Sequence, residues 1–182
     1  MNQKQALLQR DQCLLVVIDA QERLMPVIQD HQAITGNLVR LARFAGIIDL
    51  PVLVTEQQKL GSTLPELAQH LPGLEPVSKI TFDCFGCPDF VRALEHLGRD
   101  TLLLTGVESH ICVAQTALSA LGRFRVQVVS DAVGSRSPHN LQVALRRLEA
   151  AGAEITSTEM LIYELLGRAG TEEFKATLPL VK

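Results

Sequence analysis

Three residues stand where short apolar runs give out, and each is of a type that does chemistry. Asp19 directly follows Leu14-Leu15-Val16-Val17-Ile18. A carboxylate at the edge of so apolar a segment needs a partner for its charge. It is either a turn or helix-cap residue or a functional group, with Gln21 two residues on to orient it or a ligand. Lys79 is the only charge in Val77-Ser78-Lys79-Ile80-Thr81-Phe82. Lysines are rarely buried unpaired, so it reads as a solvated edge residue unless a carboxylate meets it. Cys112 lies in Thr105-Gly106-Val107-Glu108-Ser109-His110-Ile111-Cys112-Val113-Ala114. An apolar run there enters a glycine-containing turn and then a helix, with the cysteine in the first helical turn. That position favours the thiolate and lowers the thiol pKa. The same N–H groups can receive an oxyanion. The alternative is a cysteine packed as a small hydrophobe, and its place at a strand-to-helix turn moves the reading toward a nucleophile. His110 does not share a helical face with Cys112, so it is expected to point to solvent or a partner subunit rather than act as the base.

The remaining cysteines are Cys13, Cys84 and Cys87. Cys84-Phe85-Gly86-Cys87 is a C-x-x-C pair, which can serve redox chemistry or supply half of a zinc site. No second pair completes four ligands, so the segment reads as a loop leading into a helix begun by Pro88. No metal site is predicted. No G-x-G-x-x-G or Walker pattern occurs, so no nucleotide cofactor is expected either.

Those residues must be positioned by a chain of 182 residues that is 47% apolar, long enough to close a core without disulfides. Lys+Arg 17 against Asp+Glu 20 leaves a formal charge of -3, and aromatic residues make up only 4%. Neither a basic footprint nor a stacking platform is available, which argues against nucleic acid as a partner. No apolar run approaches the roughly 20 residues that span a bilayer. The polar stretch Met1–Asp11 lacks the apolar centre of a signal peptide, so a cytoplasmic chain with reduced thiols is expected.

Short β-branched runs at Leu14–Ile18, Pro51–Thr55, Thr101–Thr105 and Val126–Val129 predict strands, with weaker ones at Val77–Thr81 and Ala153–Thr156. Several are apolar on both faces, as in parallel sheets covered on both sides. Leu38, Leu41, Ala42, Ala45 and Ile48 recur at helical spacing, as do Leu141, Ala144, Leu145, Leu148 and Ala151. Further helices are predicted over Pro88–Leu97, Ile111–Leu121 and Glu159–Leu166. Gly46, Gly98, Gly122, Gly152 and Gly167 fall at or near helix ends. The alternation implies an α/β sandwich with a mainly parallel sheet, and residues 1–182 read as one domain. Ligands of such sheets bind beyond the carboxyl ends of the strands.

In these segments the chain resembles the isochorismatase-like cysteine hydrolases. The likeness runs from Leu14 to about Phe174. It is carried by Leu14–Gln21, Val54-Thr55-Glu56-Gln57, Val77-Ser78-Lys79 and Gly106–Val113. Ser130-Asp131-Ala132, Ser135-Arg136-Ser137, Ala151-Gly152-Ala153 and Ser157-Thr158-Glu159 add to it. The resemblance implies a Rossmann-like, three-layer fold with a six-stranded sheet and a catalytic triad of Asp19, Lys79 and Cys112. It also implies a cis peptide between Val107 and Glu108, which aims the Glu108 and Cys112 N–H groups at one oxyanion position. A small-molecule substrate and a homo-oligomer follow from the same likeness; from the residues themselves, Gln21 is read as a substrate contact, and Phe82 with Phe85 as an apolar wall or core residues. Related nicotinamidases carry a metal-binding Asp-x-His after the second strand. Here Thr55-Glu56-Gln57-Gln58-Lys59 has no histidine, so a nicotinamidase with its metal is not expected, and the retention of all three triad positions points to acyl chemistry on a small amide or related substrate. The alternatives are vinyl-ether hydrolysis using Asp19, a non-catalytic scaffold with an interface at Leu161–Leu166, and redox sensing through Cys84 and Cys87.

Overall fold

A computed structural model describes residues 6–73 and 75–182, so Met1–Gln5 of the polar leader lie outside the described residues. Its centre is a six-stranded sheet in the order β3-β2-β1-β4-β5-β6. The strands are β1 (Cys13–Ile18), β2 (Val52–Gln57), β3 (Val77–Lys79), β4 (Thr101–Val107), β5 (Arg125–Gly134) and β6 (Glu154–Thr156). Every neighbouring pair is parallel. The helices are α1 (His31–Ile47), α2 (Pro65–Ala68), α3 (Pro88–Leu97), α4 (Ala114–Ala120), α5 (Pro138–Ala151), α6 (Thr158–Leu166) and α7 (Glu172–Val181).

Side chains of a strand alternate between faces, and here each face has its own helical layer. Leu15 and Val17 of β1 pack with residues of α1, α6 and α7. Leu14, Val16 and Ile18 pack with residues of α3, α4 and α5. All six residues of β1 are buried, which is why that run carries no polar residue. Each buried Leu, Val or Ile side chain contributes roughly 1.5–3 kcal/mol relative to its exposed state.

Several boundaries differ from the sequence reading. β3 stops at Lys79 and leaves Ile80 and Thr81 in a loop, while β5 runs on to Gly134 past the polar pair Ser130-Asp131. There the register with β4 shifts between Leu104 and Gly106, so the extension has no continuous apolar pattern. Gly46 lies within α1, whereas Gly98, Gly152 and Gly167 do occupy left-handed C-caps. Leu161, Ile162 and Leu165 of α6 face the core, which removes most of the interface expected over Leu161–Leu166; only Met160 and Tyr163 are large exposed apolar residues of that helix.

Sheet order reverses between β1 and β4, the switch point at which such sheets bind ligands. The two strands approach closely where Ile18 pairs with Gly106. Gly106 has φ +97, and a Cβ added there would lie 2.0 Å from the Ile18 carbonyl oxygen. Gly106→Ala is therefore expected to cost about 4 kcal/mol or more. Gly122→Ala, at the same φ of +97 but in open space, is expected to cost about 1–2 kcal/mol. Urea unfolding of both variants checks the difference, and equal losses would show that the Ile18 contact carries no weight.

Candidate active site

The chain turns sharply where β1 ends. Asp19 adopts φ +52, and its side chain is fully buried between the ends of β2 and β3. One carboxylate oxygen, Oδ1, accepts from the Thr55 hydroxyl at 2.7 Å. The other accepts from Lys79 Nζ at 2.7 Å. Lys79 ends β3 beside Gln57 of β2. Its ammonium also donates to Gln57 Oε1 at 2.9 Å and to the Thr81 carbonyl at 3.3 Å. Lys79 is thus a buried lysine with three acceptors rather than a solvated edge residue. Burial alone would lower its pKa. The charge and hydrogen bond of Asp19 outweigh that effect and raise it above the ordinary lysine value.

Cys112 enters from β4. Val107 and Glu108 are joined by a cis peptide, and Ser109–Val113 form a π-type turn that leads into α4. Cys112 is buried at 6% exposure. It lies near enough to Asp19 and Lys79 to feel both charges. The thiol is not depressed as its place in the turn predicts. Burial, then the Asp19 carboxylate, push it up to about 12 against the opposing pull of Lys79. At neutral pH the resting group is a protonated thiol. Among the described residues, nothing in the protein accepts a hydrogen bond from the Glu108 N–H.

The Glu108 side chain, which the sequence reading passed over, has a partner of its own. Its carboxylate is held by Arg136, whose Nε donates at 3.0 Å and whose backbone N–H donates at 2.9 Å. Burial would raise the Glu108 pKa, but the Arg136 hydrogen bonds and charge bring it below the ordinary value. His110 Nδ1 lies 2.9 Å from the buried Ser135 hydroxyl. It is therefore tied to the end of β5 rather than aimed at solvent.

The two residues read as substrate contacts, Gln21 and Phe82, lie in different settings. Gln21 is fully buried, and its amide is engaged by the backbone: Nε2 donates to the Gln57 and Gly61 carbonyls at 3.0 and 2.6 Å, and Oε1 accepts from the Gln57 N–H at 2.8 Å. It braces the loop after β2 and has little capacity left for a ligand. Phe82 is 54% exposed beside Ile80, while Phe85 turns inward onto Phe90 at a centroid distance of 5.6 Å. Cys84 and Cys87 flank a single helical turn before α3, and both thiols are free and buried. Thr55 and Gln57, which hold Asp19 and Lys79, lay within a quoted motif but carried no role there. Their signal is strand register alone.

A cavity of about 450 Å³ opens at the other end of the sheet, lined by Gln9, Gln12, Asp100, Thr101, Arg123 and Arg125. It does not adjoin Cys112. Among the described residues no cluster of His, Cys, Asp and Glu is arranged to hold a metal ion, and no helix is long and apolar enough to cross a membrane.

The parallel α/β sheet, which sets a thiol, a carboxylate and an ammonium near its switch point, has counterparts among known proteins. The isochorismatase domain matches residues 13–160, and the chain belongs to that family. It is 38% identical to isochorismatase domain-containing protein 2 of Bos taurus over 173 residues, covering 93% of this chain and 82% of that protein. Among solved structures, the MAR1 ribonuclease of Caenorhabditis elegans superposes with a TM-score of 0.89 at 33% identity, covering 97% and 92% of the two chains. YcaC of Pseudomonas aeruginosa, solved with hexane-2,5-diol and covalent acrylamide, superposes at 0.90 with 28% identity and the same coverage, 97% and 92%. The YcaC gene product of Escherichia coli, an octameric hydrolase of unknown specificity, superposes at 0.88 with 25% identity, covering 96% and 92%.

The shifted groups set an alkaline limit on stability. Lys79, with its pKa raised in the fold, contributes stability that is fully present below the ordinary lysine value of 10.5 and is lost as pH rises through the folded one. The Cys13, Cys84 and Cys112 thiols act in the same direction, because the unfolded chain ionises near 9.0 while the folded chain holds these protons to about 12. Stability to urea is expected to fall steadily between about pH 9 and 12, with a shallower slope in Cys112→Ala. A flat profile across that range would contradict these environments.

Proposed function

We propose that this chain is a cysteine hydrolase of small amides or related acyl substrates, working through Asp19, Lys79 and Cys112. The observation that carries the reading is the fully buried Asp19–Lys79 pair at 2.7 Å, set at the switch point beside a thiol. Burying an ion pair adds little to stability compared with apolar residues of the same size. Such a pair calls for a chemical explanation, and a general base held in position by a buried cation supplies one.

Asp19 takes the thiol proton as the Cys112 sulfur attacks the carbonyl carbon. A C–S bond forms and the carbonyl electron pair moves to oxygen, where the Glu108 and Cys112 N–H groups receive it. Collapse breaks the C–N or C–O bond, and the leaving group departs with the proton from Asp19. Water then attacks the thioester, giving a proton to Asp19, and the released thiol regains it. Lys79 holds the Asp19 carboxylate in place between steps. Because the thiol starts protonated, base and nucleophile act together rather than through a preformed thiolate.

The covalent acrylamide on the related YcaC fits a reactive cysteine on this fold. The octamer of the Escherichia coli protein supports a homo-oligomer here as well. A nucleolytic role is disfavoured by the formal charge of -3. The nucleophile must remain a thiol, which suits a reducing compartment such as the cytoplasm.

A panel of small amides, esters and isochorismate assayed against wild type, Cys112→Ala and Asp19→Asn tests the proposal. Cys112→Ala is expected to lose about a thousandfold or more of the activity on amides or esters while melting like wild type. Full activity in that variant removes the covalent scheme. Turnover of isochorismate alone, dependent on Asp19 and indifferent to Cys112, would replace it with vinyl-ether hydrolysis.

A further inference from the structure

The oxyanion position assigned above depends on where one peptide N–H points, and the side chain of that same residue is fixed from outside. The Glu108 carboxylate is 3% exposed, whereas the Arg136 side chain holding it is 59% exposed. Arg136 Nε bonds both carboxylate oxygens, at 3.0 and 3.2 Å, its Nη2 bonds Oε1, and its backbone N–H bonds Oε2 at 2.9 Å. A surface ion pair is usually held by one or two exposed contacts worth little. Here a buried carboxylate takes up nearly all its accepting capacity on one residue of the following strand's loop. The second tie between the same two segments, His110 to Ser135, reaches the turn on the other side of Glu108. Glu108 does not touch Asp19 or Lys79 in any bond of the structure, so its clamp serves neither charge of the triad.

We propose that Arg136 is a positioning residue for the oxyanion site: through the Glu108 side chain it sets the direction of the Glu108 N–H. This rests on the cysteine-hydrolase reading and adds to it a residue that never meets the substrate. Fixing a donor in advance matters because its contribution depends on geometry at the atom where charge develops. The fork of a guanidinium locks both oxygens of a carboxylate, and a lysine ammonium does not.

Two probes of Cys112 separate this role from a general loss of structure. Butyraldehyde adds to the thiol. The C–S bond forms, the carbonyl electron pair goes to oxygen, and the thiol proton passes by way of Asp19 to that oxygen, so the adduct places a hydroxyl in the oxyanion position, where it accepts from the N–H donors. Iodoacetamide alkylates the same sulfur by displacing iodide at a CH2 group and develops no charge on a carbonyl oxygen. Mass spectrometry of Cys112 gives the alkylation rate, and protection by butyraldehyde gives the aldehyde affinity. Arg136→Met is expected to weaken the aldehyde about tenfold or more while leaving the alkylation rate within about twofold of wild type. Arg136→Lys should recover part of the affinity. Where Arg136→Met does not fold because Glu108 is left buried and unpaired, Glu108→Gln with Arg136→Met removes that charge and should show the same selective loss. Equal loss on both probes, or no loss on either, overturns the role given to Arg136. If wild-type Cys112 is alkylated but never protected by the aldehyde, the hydrolase reading fails first and takes this proposal with it.

Discussion

The 2.7 Å contact between Lys79 and Asp19 organises the rest of the site, because neither group can be buried without the other. Removing a carboxylate or an ammonium from water costs several kcal/mol even after relaxation. The pair is tolerable only because its remaining valences are filled: Thr55 on the carboxylate, Gln57 and the Thr81 carbonyl on the ammonium. Those partners come from the ends of β2 and β3, and Asp19 from the end of β1, so the pair depends on register. Ile18 lies beside Thr55, and Gln57 beside Lys79. A slip of one residue in β3 would turn Lys79 to the opposite face and strand Asp19 in the core. The three-residue edge strand, too short to contribute much burial, is thus held in place by polar requirements as much as by its pairing.

The thiol obeys the same electrostatics with the opposite sign. A position in the first turn of a helix favours a thiolate by about 0.3–1 kcal/mol at an exposed site. In this site the turn is of π type, the sulfur is buried, and the nearest full negative charge is the base itself. Burial and the carboxylate therefore prevail over the turn. A papain-like ion pair waiting for substrate does not suit this arrangement. A thiol that ionises only as its proton passes to Asp19 does, and the uncommitted resting state also slows adventitious oxidation.

Much of the fold was legible because burial writes itself into composition. β1 and β4 are apolar on both faces, and their turns into Asp19 and toward Cys112 stand out for that reason. Polar partners are a different matter. Thr55, Gln57 and Arg136 look like ordinary residues until the sheet order β3-β2-β1-β4-β5-β6 sets them beside their partners. A hydrogen bond across sequence separations such as 22, 28 or 36 residues leaves no local periodicity. Gln21 shows the reverse case: its place after Asp19 suggested a ligand contact, whereas its amide bridges the bends that follow β1 and β2. The extension of β5 through Ser130-Asp131 was hidden for a third reason. Asp131 serves the N-terminus of α6, accepting from the Thr158 N–H at 2.7 Å, so a strand residue carries a helix-cap signature.

Asp19, whose charge reaches Cys112, and Glu108, four residues before it, are each paired with one cation from an adjacent element, Lys79 buried and Arg136 exposed. Charge is concentrated there, yet the local sum is zero. A site of this kind exerts little long-range pull on an anion or a cation, since opposite charges a few ångströms apart cancel beyond a Debye length of about 8 Å. Its fields act only at contact, where the Cys112 proton is lost and the carbonyl oxygen gains charge. In the loop that follows Lys79 the exposed side chains of Ile80 and Phe82 offer apolar surface. That combination suits an uncharged acyl compound better than a charged one: such a substrate loses little hydration on entry and meets strong electrostatics only as the transition state forms, which is where binding free energy accelerates a reaction.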